Sequence, residues 1–131
     1  MTHDDVQRWL DRYVAAWRSY DAAEIGDLFA ADAMYRYHPY DEVPVKGRDA
    51  IVVDWVDDPD EPRSWDAWYK PYSVDGDRAV AIGETAYTNS DGSLRDLYYN
   101  VWTLQFDDDG RCVDFVEYFM ALPDKIKVSR A

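Results

Sequence analysis

One cysteine, Cys112, in 131 residues has no partner within the chain, so no internal disulfide holds the fold and a reducing compartment suits it. Histidine occurs only as His3 and His38, which excludes the His/Cys spacings of a structural zinc site. Basic residues are outnumbered, 14 against 27 acidic, for a formal charge of −13. Such a surface repels phosphate backbones and anionic lipid, so neither nucleic acid nor a membrane is an expected partner. No apolar run approaches the roughly 20 residues that span a bilayer. The opening Met1-Thr2-His3-Asp4-Asp5 is polar and acidic, and the expectation is no secretory signal and a cytoplasmic location. There is no glycine-rich phosphate loop and no Ser-His-Asp signature.

Aromatic side chains are what the chain has in quantity, 16% of it. Its length supports a single domain, residues 1–131, with its own core. Tyr13 and Trp17 lie one helical turn apart, and Tyr35, Tyr37, His38 and Tyr40 crowd the first strand-like segment. Trp55, Trp68, Tyr87, Trp102, Phe115 and Phe119 follow on later segments. Rings on one helix and on most strands predict a sheet curled around a helix over a side-chain-lined hollow, a place for a small molecule. Cys112, in a strand just after a turn, reads as a buried small hydrophobe rather than a nucleophile.

Val6, Leu10, Tyr13, Val14 and Trp17 recur at helical spacing, which predicts a helix over about 4–19 opened by Thr2, Asp4 and Asp5. Asp21 is placed to cap a shorter helix carrying Ile25, Leu28 and Phe29. A strand is predicted from Ala33 to Pro39, and a third helix over 48–56 with Ile51, Val52 and Trp55 buried. Residues 57–64 form a charged, proline-rich loop. Four strands follow over 66–74, 78–88, 94–106 and 111–122, linked by turns at Asp75-Gly76-Asp77, Ser90-Asp91-Gly92 and Asp107-Asp108-Asp109-Gly110. These are hairpin signals, so the four strands should form an antiparallel meander. Residues 123–131 read as a loosely held tail. Helices on one face of a curved sheet define an α+β fold, a cone closed at one end.

The chain resembles the NTF2-like superfamily, in particular its SnoaL-like and ketosteroid-isomerase-like branch. The resemblance rests on the first helix around Tyr13 and on Asp27-Leu28-Phe29-Ala30-Ala31-Asp32-Ala33. It continues in Val45-Lys46-Gly47-Arg48-Asp49-Ala50-Ile51 and Phe106-Asp107-Asp108-Asp109-Gly110-Arg111. It implies a curved mixed or antiparallel sheet wrapped around a long N-terminal helix, with two further helices. Because this fold hosts isomerases, cyclases, epoxide hydrolases, dehydratases, carriers and plain binders, it implies no single activity. Tyr13 matches the tyrosine that donates to a developing enolate oxygen in isomerase-like members. Where those members carry a proton-shuttling carboxylate before a proline, this chain has His38 before Pro39, with Tyr37 as the alternative equivalent. Trp102 stands where they carry a protonated aspartate. Two of three positions are changed, so steroid isomerisation is not implied. The Asp–Arg–Asp relay of epoxide hydrolases of this fold is not evident either.

His38, with an ordinary pKa near ~6.5, is either a base at the pocket mouth or a half-exposed histidine ending a strand. Alternation puts Phe115, Glu117 and Phe119 on one face of the last strand. If that face lines the hollow, Glu117 is a desolvated carboxyl suited to general acid–base work, as the acidic late-strand residue of SnoaL-like cyclases implies. If it points outward, it meets solvent or a second subunit. Asn100 and Trp102 share a face with Tyr98 and Leu104, either donating to a ligand or satisfied within the core. Trp17, Phe29 and Trp55 read as core first, although Trp55 matches a cavity-adjacent aromatic of the family. Arg36 faces inward if it alternates with His38, while Glu84 and Arg95 are not assigned. The acidic runs at 57–61 and 107–109 lack a calcium-loop pattern and read as solvated turns.

The expected catalytic set is therefore Tyr13, His38 and Glu117. The expected ligand contacts are Trp17, Tyr37, Trp55, Tyr87, Asn100, Trp102, Phe115 and Phe119, with no metal and no cofactor. The leading expectation is a small, mostly apolar ligand, with cofactor-independent isomerase, cyclase or dehydratase chemistry beside it. The alternatives are a binding module without turnover and a purely structural subunit. A homodimer is expected, because a conical sheet with an exposed outer face often pairs with its twin.

Overall fold

The computed structural model describes residues 1–124 and 126. Helix α1 runs His3–Ser19 and α2 Ala22–Asp27. Strand β1 (Phe29–Arg36) and the short β2 (Val45–Lys46) precede α3 (Arg48–Asp57). Strands β3 (Trp65–Asp75), β4 (Arg78–Thr88), β5 (Leu94–Phe106) and β6 (Cys112–Ala121) complete one six-stranded sheet in the order β2-β1-β6-β5-β4-β3. The hairpin signals resolve as the antiparallel meander β3 to β6, while β1 joins it by pairing parallel to β6. The sheet is mixed and does not close on itself. The tail predicted over 123–131 falls largely at residues 125 and 127–131, outside the described residues.

Helix α1 begins with a reciprocal capping box. Asp5 N donates to Thr2 Oγ1 at 3.1 Å and Thr2 N donates to Asp5 Oδ2 at 2.9 Å. Two backbone donors left over by helix geometry are thereby satisfied. Thr2→Ala is expected to cost about 1 kcal/mol, readable as a lowered urea midpoint at unchanged slope. Val6, Trp9, Leu10, Tyr13 and Ala16 are the buried stripe of α1. Trp9 is locked in place by its indole N–H, which donates to the Leu28 carbonyl at 3.0 Å.

The second helix stops at Asp27, and Phe29 opens β1 instead of extending α2. Sequence patterning placed Phe29 on the helix and the strand start four residues later. The edge is set by pairing, because Cys112 N donates to Leu28 O at 2.9 Å and β6 begins beside Phe29. Cys112 is fully buried, and burial pushes its thiol far above its ordinary pKa, so it packs as a small apolar group.

Candidate functional site

A cavity of about 590 Å³ opens between α1, α3 and the inner face of the sheet. Its inner wall is built from buried side chains: Tyr13, Tyr35, Trp55, Tyr69, Thr85, Asn100 and Trp102. Its mouth carries the more exposed Tyr20, Tyr37, Asp54, Asp58, Asp60, Arg95 and Phe119. Glu117 lines it from β6.

Strand register puts Glu117 where it is. Trp102 on β5 lies directly opposite Glu117, and Asn100 lies opposite Phe119 one inward position away. Because side chains alternate, a slip of one residue would turn every one of these groups to the outer face. The Trp102 indole N–H and the Asn100 Nδ2 amide (2.9 Å) both donate to Glu117 Oε2. Among the described residues both donors go to Oε2 and none reaches Oε1.

The polar chain behind Asn100 has a fixed direction. Thr85 Oγ1 donates to Asn100 Oδ1 at 2.9 Å, which orients the amide so that its NH2 faces Glu117. Since that hydroxyl proton is used, the Tyr69 hydroxyl, 2.6 Å away, is the donor to Thr85. The relay Tyr69 to Thr85 to Asn100 to Glu117 therefore runs one way. It presents only donors to the carboxyl, a buried network with every member paired.

Burial raises the pKa of Glu117, and the Trp102 and Asn100 hydrogen bonds, together with the positive charge of a protonated His38, offset part of that rise. Five tyrosines on the cavity wall, Tyr13, Tyr35, Tyr37, Tyr69 and Tyr87, are raised above ordinary phenol values, each chiefly by burial and each further by the nearby Glu117. They are neutral O–H groups across the physiological range. The Tyr13 and Tyr35 hydroxyls lie 2.6 Å apart. One proton joins them, so the pair retains a second proton to donate elsewhere.

Of the residues expected to contact a ligand or carry its chemistry, Tyr13, Trp17, Tyr37, Trp55, Tyr87, Asn100, Trp102, Glu117 and Phe119 line this one cavity. Two predicted positions do not. Phe115 is 0% exposed and lies beneath the wall, stacked parallel to Tyr13 at 5.7 Å and to Tyr35 at 4.2 Å. It supports the lining rings without joining them. His38 is also absent from the lining. Strand β1 ends at Arg36, its inward positions are taken by Tyr35 and then by Tyr37 just past the strand, and the chain turns at His38. There the His38 ring stacks on Tyr40 at 4.8 Å, touches Phe119 at 5.5 Å and sets Nδ1 3.2 Å from Asp41 Oδ1.

Arg36 likewise turns away from the cavity, donating to the Asp41 carbonyl and lying 3.9 Å from the Asp114 carboxylate. Asp58 and Asp60, from the run that reads as a solvated turn, edge the mouth together with Asp54. Asp60 Oδ2 accepts from Trp17 Nε1 at 2.9 Å, and Tyr37 donates to Asp54. Tyr20, also missed, sits at φ 50° as the residue ending α1, an uncommon backbone state for a bulky side chain. Its hydroxyl accepts from Asp60 N at 2.8 Å, which ties the loop to the helix end.

No curated protein sequence matches this chain. A solved structure of an M. tuberculosis LEH-like epoxide hydrolase is similar in fold, with a TM-score of 0.65 over 90% of this chain and 84% of that one at 16% identity. The SnoaL-like domain family matches residues 10–115, most of the length and nearly all the cavity-lining positions. The chain belongs to the SnoaL-like domain family of NTF2-like proteins.

Proposed function

We propose that the cavity binds a small, largely apolar molecule carrying a carbonyl and that Glu117 moves a proton on it. The observation that supports this reading is the inner-wall carboxyl with one oxygen that no donor reaches among the described residues, set among neutral phenols and held from behind by two N–H donors. As carboxylate, Glu117 Oε1 takes a proton from the carbon beside the ligand carbonyl. The electron pair moves onto the carbonyl oxygen, which the spare O–H of the Tyr13–Tyr35 pair stabilises. The protonated carboxyl then returns its proton to another position of the ligand. Isomerisation, cyclisation and loss of water are all built from these two transfers. Burial moves the carboxyl pKa toward neutrality, where one group serves best as acceptor and then donor.

The test begins with a thermal-shift or native mass-spectrometry screen against a metabolite collection, followed by turnover of each hit. Glu117→Gln is expected to retain the ligand within a few-fold and to lose turnover by about 10²–10⁴. Unchanged turnover would eliminate the proton-transfer reading and leave a binding module.

Stability provides a ligand-free check. Because the folded pKa of Glu117 is raised, ionising it costs stability, absent below the unfolded carboxyl pKa and growing as pH rises through the folded one. Glu117→Gln is therefore expected to melt higher than the parent at pH 7.5, with the gain shrinking toward pH 4. An offset that does not change with pH contradicts the raised carboxyl pKa.

A further inference from the structure

The charges at the cavity mouth are one-sided. Asp54, Asp58 and Asp60 edge it, and Arg95 is the one cation among the described lining residues. The Arg95 guanidinium is already engaged, with Nε 3.3 Å from Asp96 Oδ2 and Cζ 5.3 Å from the Tyr87 ring centre.

Two of the three aspartates also oppose the helix that carries them. Asp54 lies in the last turn of α3 and Asp58 ends it, and that turn holds no basic residue. A helix C-terminus bears partial negative charge and is ordinarily balanced by Lys, Arg or His. Here carboxylates are added to it at the opening of an aromatic cavity. No hydrogen bond or ion pair engages Asp58 among the described residues. Tyr37 stands near these carboxylates, and Tyr20 and Tyr87 near Asp60, all aromatic rings that attract cations. An unfavourable local charge pattern of this kind at a pocket is where function overrides stability.

We infer that the ligand of this cavity carries a protonated amine on an apolar body, with the ammonium held at the mouth by Asp58 and Asp54 and the apolar part inside. The inference rests on the reading of the cavity as a ligand site and names the class of molecule it takes. The cavity supplies the site, and the aspartates select the charge of what enters. A carboxylate or phosphate ester meets three aspartates on approach against one guanidinium already engaged by Asp96 and Tyr87, and is disfavoured.

The experiment uses three probes with one naphthylpropyl body, ending in a primary ammonium, a hydroxyl or a carboxylate, titrated calorimetrically into the full chain. The ammonium is expected to bind about tenfold tighter than the alcohol, a difference of about 1.4 kcal/mol, and the carboxylate weakest of the three. Asp58→Asn should remove most of that preference while leaving the alcohol unchanged. Asp108→Asn, the same loss of charge on the distant β5–β6 turn, should leave all three affinities as they were. Raising salt should erode the ammonium preference and not the alcohol affinity. Equal binding of ammonium and alcohol overturns the amine assignment and leaves the cavity reading standing. A preference untouched by both Asp58→Asn and Asp54→Asn overturns it too. No binding by any probe overturns it together with the cavity reading.

Discussion

Gly83→Ala is expected to destabilise this protein by about 3 kcal/mol or more, at or beyond the upper end of ordinary overpacking. A Cβ at position 83 would stand 2.1 Å from the Trp68 carbonyl oxygen, 2.3 Å from Tyr69 Cδ1 and 3.0 Å from Tyr69 Cα. Two of those atoms are backbone, so no side-chain rotation relieves the clash. Gly83 is buried mid-strand on β4, paired with Tyr69 on one side and Asn100 on the other. Glycine at such a place marks a close approach, and here the approach seats the Tyr69 ring. Displacing Tyr69 also breaks the relay through Thr85 and Asn100 that orients the Glu117 carboxyl. Gly92→Ala, in a turn with φ 89° and nothing within 4 Å, isolates the backbone penalty alone and is expected to cost less. Urea unfolding of both variants checks the ranking. A Gly83→Ala midpoint above that of Gly92→Ala refutes the packing argument.

Much of this architecture is legible in residue order, and the reason is local. Asp-Gly turns and period-two alternation are short-range properties, so the β3–β6 meander and the shared face of Phe115, Glu117 and Phe119 follow without knowledge of distant contacts, while the direction in which that face points does not. What depends on long-range pairing was not legible. Phe29 has helical spacing with Ile25, and only the bond from Cys112 N to Leu28 O reveals that the strand starts there. The choice between the two readings of His38 was open for the same reason, since alternation predicts a face only while the strand lasts and β1 stops at Arg36.

The cavity mouth was hidden by a different effect. Asp57, Asp58, Asp60 and Glu61 form a charged, proline-containing stretch of the composition that solvated loops share. Nothing within the stretch says that Tyr20, 40 residues away, anchors Asp60 N. The strained backbone of Tyr20 gives no composition signal either, because glycine or asparagine is the usual marker of that state.

Phe115→Ala is the second large effect, about 3–5 kcal/mol, because a fully buried ring is removed from a site walled by other rings. Tyr13 and Tyr35 flank Phe115 within 5° of parallel, and Trp102 leans on it at 4.8 Å. These three are cavity-wall residues on different elements, and Phe115 is the common body that spaces them. Its loss leaves the Tyr13–Tyr35 hydroxyl bond and the Trp102 donation to Glu117 without their support. Phe115→Leu keeps most of the volume and loses the ring–ring contribution, about 0.5–1.5 kcal/mol for a pair of this kind. The leucine variant is therefore expected to stay folded while weakening retention of any ligand found by the screen. Thermal melts with near-ultraviolet circular dichroism separate the two effects, since the aromatic signal reports ring packing, to which Tyr13, Tyr35 and Trp102 contribute. A Phe115→Ala protein that melts with the parent and keeps its aromatic spectrum would show that these rings are held from elsewhere, and the cavity floor would have to be reassigned.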